Sequence, residues 1–147
     1  VQVRDAVAGD ASQWSRLWAA YLAFHGVTLP AAVTAATWER LLDPAAPLVA
    51  RMAVADRGDA VGFAIGVIHL GTWTAAPVCY LEDLYVDRAA RGAGVGRALI
   101  DDLFALAAAR GWSRLYWHTH QDNAVARRLY DRYGPADGFV RYRFDVT

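Results

Sequence analysis

The pattern of the chain predicts an α/β (α+β) fold: a mixed, mostly antiparallel central sheet with helices on both faces. Three observations carry this. Apolar residues recur at helical spacing in two segments and start or stop signals mark two further helices, the remaining segments are short runs of strand formers, and three of those runs follow one another with only turn chemistry between them. At 147 residues the chain has the length of one compact domain. No linker, repeat or low-complexity tract divides it, so residues 1–147 are read as a single domain.

Val1 to Asp5 read as an opening strand, and Asp10, three residues before Gln13, reads as the cap of a helix. Trp14, Leu17, Trp18, Tyr21 and Leu22 then recur at three-and-four spacing up to His25 and Gly26. That face belongs to a core, with enough rings left over to form the lip of a pocket. A second helix runs from about Ala31 to Leu42, opened by Pro30 and stopped by Asp43 and Pro44. Leu48 to Ala55 and Val61 to Leu70 flank Asp56-Arg57-Gly58-Asp59, which is hairpin chemistry, and Val78 to Val86 is a third strand. From Gly94 the helical period returns through Val95, Leu99, Leu103, Leu106 and Ala107 to a stop at Gly111. Arg114 to Thr119 is a strand, Asn123 to Tyr133 a helix, and the alternation of Phe139 to Val146 predicts a last strand.

The composition, 56% hydrophobic with six Trp, seven Tyr and five Phe, excludes a disordered chain. Basic and acidic residues balance at 15 each, which argues against a general nucleic-acid binder. Every basic residue is Arg. The lone Cys79 excludes an internal disulfide framework and a Cys-based zinc site, and fits a reducing, cytoplasmic setting. Apolar stretches are interrupted well short of a membrane span, and the first residues lack the pattern of a signal peptide, so no membrane partner is expected. The four His have no acid or Cys at ligand spacing, and no metal is expected.

The most informative segment is Tyr80-Leu81-Glu82-Asp83-Leu84-Tyr85-Val86-Asp87, followed by Arg91-Gly92-Ala93-Gly94-Val95-Gly96-Arg97 at a helix start. Gly92, Gly94 and Gly96 remove side chains where a backbone must approach something closely, and free amides at a helix start favour an anion. The combination describes a phosphate cradle, with Arg91 and Arg97 adding positive charge at its mouth. A P-loop needs a Gly-Lys pair, and this chain has no Lys. A dinucleotide fingerprint needs an acid about 20 residues on, where Leu115-Tyr116-Trp117 stand instead. A plain glycine turn joining strand to helix stays open on this segment alone.

Paired with a second motif further along the chain, the segment resembles a known family. Arg91-x-x-Gly94-x-Gly96, after Asp83-Leu84-Tyr85-Val86 and before an amphipathic helix, looks like the coenzyme A signature of the Gcn5-related N-acetyltransferases. Asn123-x-x-Ala126-x-x-Leu129-Tyr130-x-x-Tyr133-Gly134 resembles that family's second motif. Leu81 to Val86 is similar to the spermidine/spermine acetyltransferase-like branch, and Tyr116-Trp117 through Tyr130 to the Hpa-type histone and polyamine acetyltransferases.

The resemblance implies the acyl-CoA N-acyltransferase (GNAT) fold, an enzyme, and acetyl-CoA as cosubstrate. It implies that the strand near 80–86 splays from the strand near 114–119 and that the pantetheine arm lies between them. Backbone groups of Leu84, Tyr85 and Val86 then pair with that arm and with the thioester oxygen. Gly92, Ala93, Gly94, Val95, Gly96 and Arg97 hold the pyrophosphate with help from Arg91, and Asn123, Ala126 and Tyr130 complete the coenzyme side. Glu82 is the expected general base, placed by strand alternation on one face with Tyr80 and Leu84 while Asp83 points to the other. Tyr130 is the expected acid for the leaving thiolate, with Tyr133 a weaker substitute; Asn123 and Tyr130, seven residues apart, face the same way.

The expected reaction is acetyl transfer to a primary amine of a small polyamine-like or aminosugar-like substrate. The alternatives are a protein Lys or N-terminal acetyltransferase and a catalytically idle coenzyme A-binding module. The amine side is expected from the first two helices, the loop around His69 to Trp73 and the strand near Trp117 to His120. A homodimer is expected through the tail, Phe139 to Val146. The balanced charge hides a split: residues 1–87 carry five Arg and nine acids, residues 88–147 ten Arg and six acids. The positive part contains the glycine loop, and the negative part the expected amine side.

Overall fold

In the computed structural model, which describes residues 1–147, five strands form one sheet in the order β1-β2-β3-β4-β5. They are β1 (Gln2–Asp5), β2 (Leu48–Val54), β3 (Ala60–His69), β4 (Val78–Val86) and β5 (Arg114–Trp117). Neighbours up to β4 pair antiparallel, and β4 with β5 is parallel. Between β1 and β2 lie α1 (Ala11–Phe24) and α2 (Ala31–Leu42); α3 (Val95–Arg110) crosses from β4 to β5, and α4 (Ala124–Tyr130) follows β5. A parallel pair needs a crossover of this length, so the long amphipathic helix after the glycine loop and the parallel edge are one feature.

Each face of the sheet buries its own core. On one, Trp14, Leu17 and Trp18 of α1 and Leu41 of α2 pack on Met52, Phe63 and Ile65. The indoles of Trp14, Trp18 and Trp38 stack there at 4.9–5.1 Å between centroids. On the other face, Val95, Leu99, Ile100 and Leu103 of α3 pack on Val49, Ala53, Ala64 and Leu81. This is the expected arrangement of helices on both faces of a mixed sheet.

Two local expectations fail. Asp10 does precede α1, but its carboxylate makes no capping bond there. It accepts instead from both Arg4 guanidinium nitrogens and from the Val7 amide, all at 2.8 Å, tying β1 to the turn before α1. The strand expected over Phe139 to Val146 is absent: after Tyr130 no further helix or strand forms. Gly134 and Gly138, at φ 152 and 83, turn the chain. Phe139, Val140, Tyr142, Phe144 and Val146 are 76–91% exposed. An alternating segment becomes a strand only where a neighbouring strand meets its backbone N–H and C=O groups, and no strand of this chain pairs with it.

Candidate active site

The site is built on an irregularity of β4. Ile65 of β3 pairs with Asp83 and Gly66 with Leu81, so Glu82 is an extra residue with no partner across the ladder. Gly66 permits the tight packing there, because a Cβ at that position would lie 2.7 Å from Cys79 Sγ and 2.8 Å from Val49 Cγ2. A bulge resets the alternation of its strand. Leu81 and Leu84 pack with the α3 core and Tyr85 with the α1 core. Glu82 and Asp83 therefore come out on the same side, where both line one pocket. This corrects the expectation from alternation: Asp83 does not point away from Glu82, and Leu84, not Asp83, takes the opposite face.

The pocket has a volume of about 480 Å³. Trp18 of α1 and Thr37, Arg40 and Leu41 of α2 form one wall; Ile65, Val67 and the two carboxylates form the other. Asp83 accepts a hydrogen bond from Tyr21 Oη at 2.8 Å. Burial, reinforced by the Glu82 charge, pushes the Asp83 carboxyl up to about 6 against the opposing effect of the Tyr21 hydrogen bond. Burial and the Asp83 charge raise the Tyr21 phenol, which stays a donor. Neither carboxylate forms a salt bridge.

Immediately beyond Leu81 the sheet forks. The β4–β5 ladder runs from Val78↔Arg114 to Leu81↔Trp117 and stops, so Glu82–Val86 have a partner strand only on the β3 side. The expected splay between these strands is present. Tyr130 reaches the fork from α4, its ring 5.4 Å from that of Trp117 in an edge-on contact, and burial raises its phenol. Glu82 thus stands at the fork on the α1 side of the sheet and Tyr130 on the α3 side. Tyr133 is engaged elsewhere: its hydroxyl donates to Asp101 at 2.7 Å, and burial with that bond pushes it up to about 12.

The glycine loop lies at the open end of β4. Gly92 and Gly94 both sit at φ 82 with nothing within 4 Å of where a Cβ would stand, and Gly94 leads directly into α3. The left-handed backbone and the clear space above it present Val95, Gly96 and Arg97 amides at the helix start, where an anion is favoured. These residues fit a pyrophosphate. Arg91 is turned from it: its Nε donates to the Val86 carbonyl at 3.1 Å and its guanidinium lies 5.5 Å from the Phe24 ring and 5.6 Å from the Tyr85 ring. Arg97 pairs with Asp101 at 3.4 Å. Asn123 caps α4, its Oδ1 accepting from the Ala126 amide at 3.2 Å, so it shapes the helix start.

The model of the acetyltransferase (GNAT) family matches residues 14–134. The chain belongs to that family. It is similar to the D-amino-acid N-acetyltransferase HPA3 of Saccharomyces cerevisiae, with 36% identity over 135 residues that cover 91% of this chain and 84% of the relative. Among solved structures, a ribosomal-protein-alanine N-acetyltransferase from Brucella melitensis biovar Abortus 2308 superposes with a TM-score of 0.80 at 28% identity, covering 99% of each chain. A probable acetyltransferase superposes with a TM-score of 0.88 at 23% identity over 100% of this chain and 99% of the other, a likeness of fold. The protein is an acetyl-CoA-dependent N-acetyltransferase with the GNAT fold. No helix is long and apolar enough to cross a membrane.

Of the three segments expected to form the amine side, one lines the pocket. The expected contribution of the first two helices is present, since Trp18, Thr37, Arg40 and Leu41 line the pocket, but the sequence singled out none of them, nor Tyr21 as the partner of Asp83. The residues expected from His69 to Trp73 and from Trp117 to His120 do not line the pocket. His69 Nε2 lies 2.8 Å from Tyr116 Oη and His118 Nδ1 lies 3.2 Å from Tyr80 Oη, a separate cluster on the β4–β5 edge.

Proposed function

We propose that the protein acetylates a primary amine of a small molecule that enters the pocket beside Glu82 and Asp83, with Glu82 as general base and Tyr130 as general acid. The observation that carries this is the bulge: it gathers two carboxylates without a cation at the mouth of the fork. Acetyl-CoA, when bound, supplies the acetyl group as a thioester whose sulfur needs a proton on departure. Glu82 removes the proton that an alkylammonium carries at neutral pH. Asp83, held by Tyr21, adds negative charge that favours the incoming ammonium. Tyr130 donates from the other side of the sheet, and its burial keeps it protonated until the thiolate develops. On the coenzyme side, the unpaired edge of Leu84, Tyr85 and Val86 pairs with the pantetheine amides, and the Gly92 to Arg97 backbone holds the pyrophosphate, with Asn123 and Ala126 fixing the start of α4 and so the position of Tyr130.

A pocket of about 480 Å³ has room for a small acceptor. The yeast relative is named for a small acceptor, D-amino acids. The exposed apolar tail and the unpaired outer edge of β5 fit a homodimer in which the tail of one copy covers the other, and a reducing, cytoplasmic setting suits the single free cysteine. The test of the activity is free-thiol release from acetyl-CoA against polyamines, aminosugars, amino acids and basic peptides. Turnover with small amines and none with peptides supports the reading; peptide turnover alone, or coenzyme binding with no thiol release, contradicts it.

A further inference from the structure

We propose that Arg91 is a positioning residue of the amine side: it fastens the last turn of α1 to the outer edge of β4, holds Tyr21 on Asp83, and leaves the pyrophosphate to the loop amides. This rests on the small-amine reading above. Asp87 donates its amide to the Val61 carbonyl of β3 at 2.8 Å. In an antiparallel ladder successive residues turn their backbone groups to alternate sides. The Val86 carbonyl therefore faces away from β3, along the edge that β5 leaves unpaired. Arg91 Nε donates to that carbonyl at 3.1 Å. The same guanidinium lies 5.5 Å from the Phe24 ring and 5.6 Å from the Tyr85 ring, so three contacts aim one side chain at α1.

The contacts continue into the pocket. The Tyr85 ring meets the Tyr21 ring edge-on at 6.0 Å, and Tyr21 Oη donates to Asp83 at 2.8 Å. An earlier turn of α1 is held by Arg16, which donates to Asp87 at 2.7 Å and to the Ala60 carbonyl at 2.8 Å. Arg16 and Arg91 thus tie α1 to the segment between β4 and the glycine loop at two points about two turns apart. Phe24 is 58% exposed and belongs to neither core, so its hold on the strand comes from Arg91. Arg91 touches neither the amine nor the reacting atoms. It acts through Tyr21 and Asp83, so its loss raises the KM of the amine more than it lowers kcat.

The test compares Arg91→Ala, Arg91→Lys and Phe24→Ala with the wild type in three measurements. In hydrogen exchange on the protein alone, the amides of His25, Gly26 and Val27, which bond back into the last turns of α1, should exchange at least about threefold faster in both alanine variants. Amides in the middle of α3 should keep their rates, which verifies the fold. In calorimetric titration with coenzyme A, Arg91→Ala should bind within about threefold of the wild type and with the same salt dependence. In thiol release from acetyl-CoA with an accepted amine, both alanine variants should raise the amine KM at least about fivefold with kcat nearly unchanged, and the double variant should add little. Arg91→Lys, which keeps a cation over the rings, should recover part of that KM. The proposal is overturned if Arg91→Ala weakens coenzyme A more than about threefold, as loss of a charge-assisted phosphate contact would, or if the end of α1 exchanges as in the wild type. Absence of turnover with any small amine in the wild type overturns the amine-side role by removing the reading it rests on, and the exchange and calorimetric results distinguish that failure from a failure of the Arg91 tie.

Discussion

The two faces of the sheet treat buried charge in opposite ways. On the α3 face, Arg51 of β2 is nearly buried, and its Nε and Nη2 donate to Asp102 of α3 at 2.7 and 2.9 Å while Nη1 donates to Asp5 of β1. One cation meets two carboxylates, and three elements are pinned together. On the α1 face, two adjacent carboxylates meet no cation, and the only donor in place is the Tyr21 hydroxyl. The first arrangement is complete without any other molecule. The second leaves two carboxylates without a cationic partner, the feature on which the proposed amine-binding role rests.

Substitutions on the two faces should therefore behave oppositely. The largest effect is expected from Arg51→Ala, which leaves Asp102 facing a vacated cavity: a loss of about 3–5 kcal/mol in chemical denaturation. A small loss would mean that the cluster is as solvated as a surface pair. Asp83→Asn should do the reverse and stabilise. The native carboxyl keeps its proton up to about 6, whereas the ordinary value is 3.8. Between these values the folded state binds more protons, so this group makes stability fall as pH rises through the window and leaves it lower at pH 7. The asparagine should remove that fall, a gain of up to about 3 kcal/mol at pH 7, while keeping an oxygen for Tyr21. Equal pH dependence of stability in both proteins would show that Asp83 carries no raised pKa.

Smaller effects separate the two tyrosines of the second motif. Tyr130→Phe should lower turnover at least about tenfold where chemistry limits the rate, since it removes the acid at the fork. Tyr133→Phe should act on stability, by on the order of 1 kcal/mol for the lost bond to Asp101. If the two exchange these effects, the assignment of the acid is wrong.

Most of the architecture was legible because it rests on periodicity and punctuation. Ala31–Leu42 between its prolines, Val78–Val86, and α3 between Gly94 and Gly111 all form at the expected boundaries. The glycine loop and the fork were legible as well, through the motif that accompanies them. What failed depended on tertiary neighbours. Nothing in Leu81-Glu82-Asp83-Leu84 announces an extra residue in the ladder; the bulge arises from how β3 and β4 pair across Gly66. The strand expected at Phe139 to Val146 has the right alternation but no partner within the chain. The first two helices were legible as the amine side, but which of their residues line the pocket was not, because the opposite wall, Glu82 and Asp83, lies some forty residues further along the chain from α2.

The central claim is that the amine is deprotonated in the pocket at the bulge. It is tested most directly by the pH dependence of kcat/KM for thiol release, measured from pH 5 to 9 on the wild type and Glu82→Gln with one accepted amine. The wild-type rate should rise from the acid side, and the variant should show an acidic limb that is shifted or lost, with a lower plateau. An acidic limb of the same position and height in both proteins would contradict the claim.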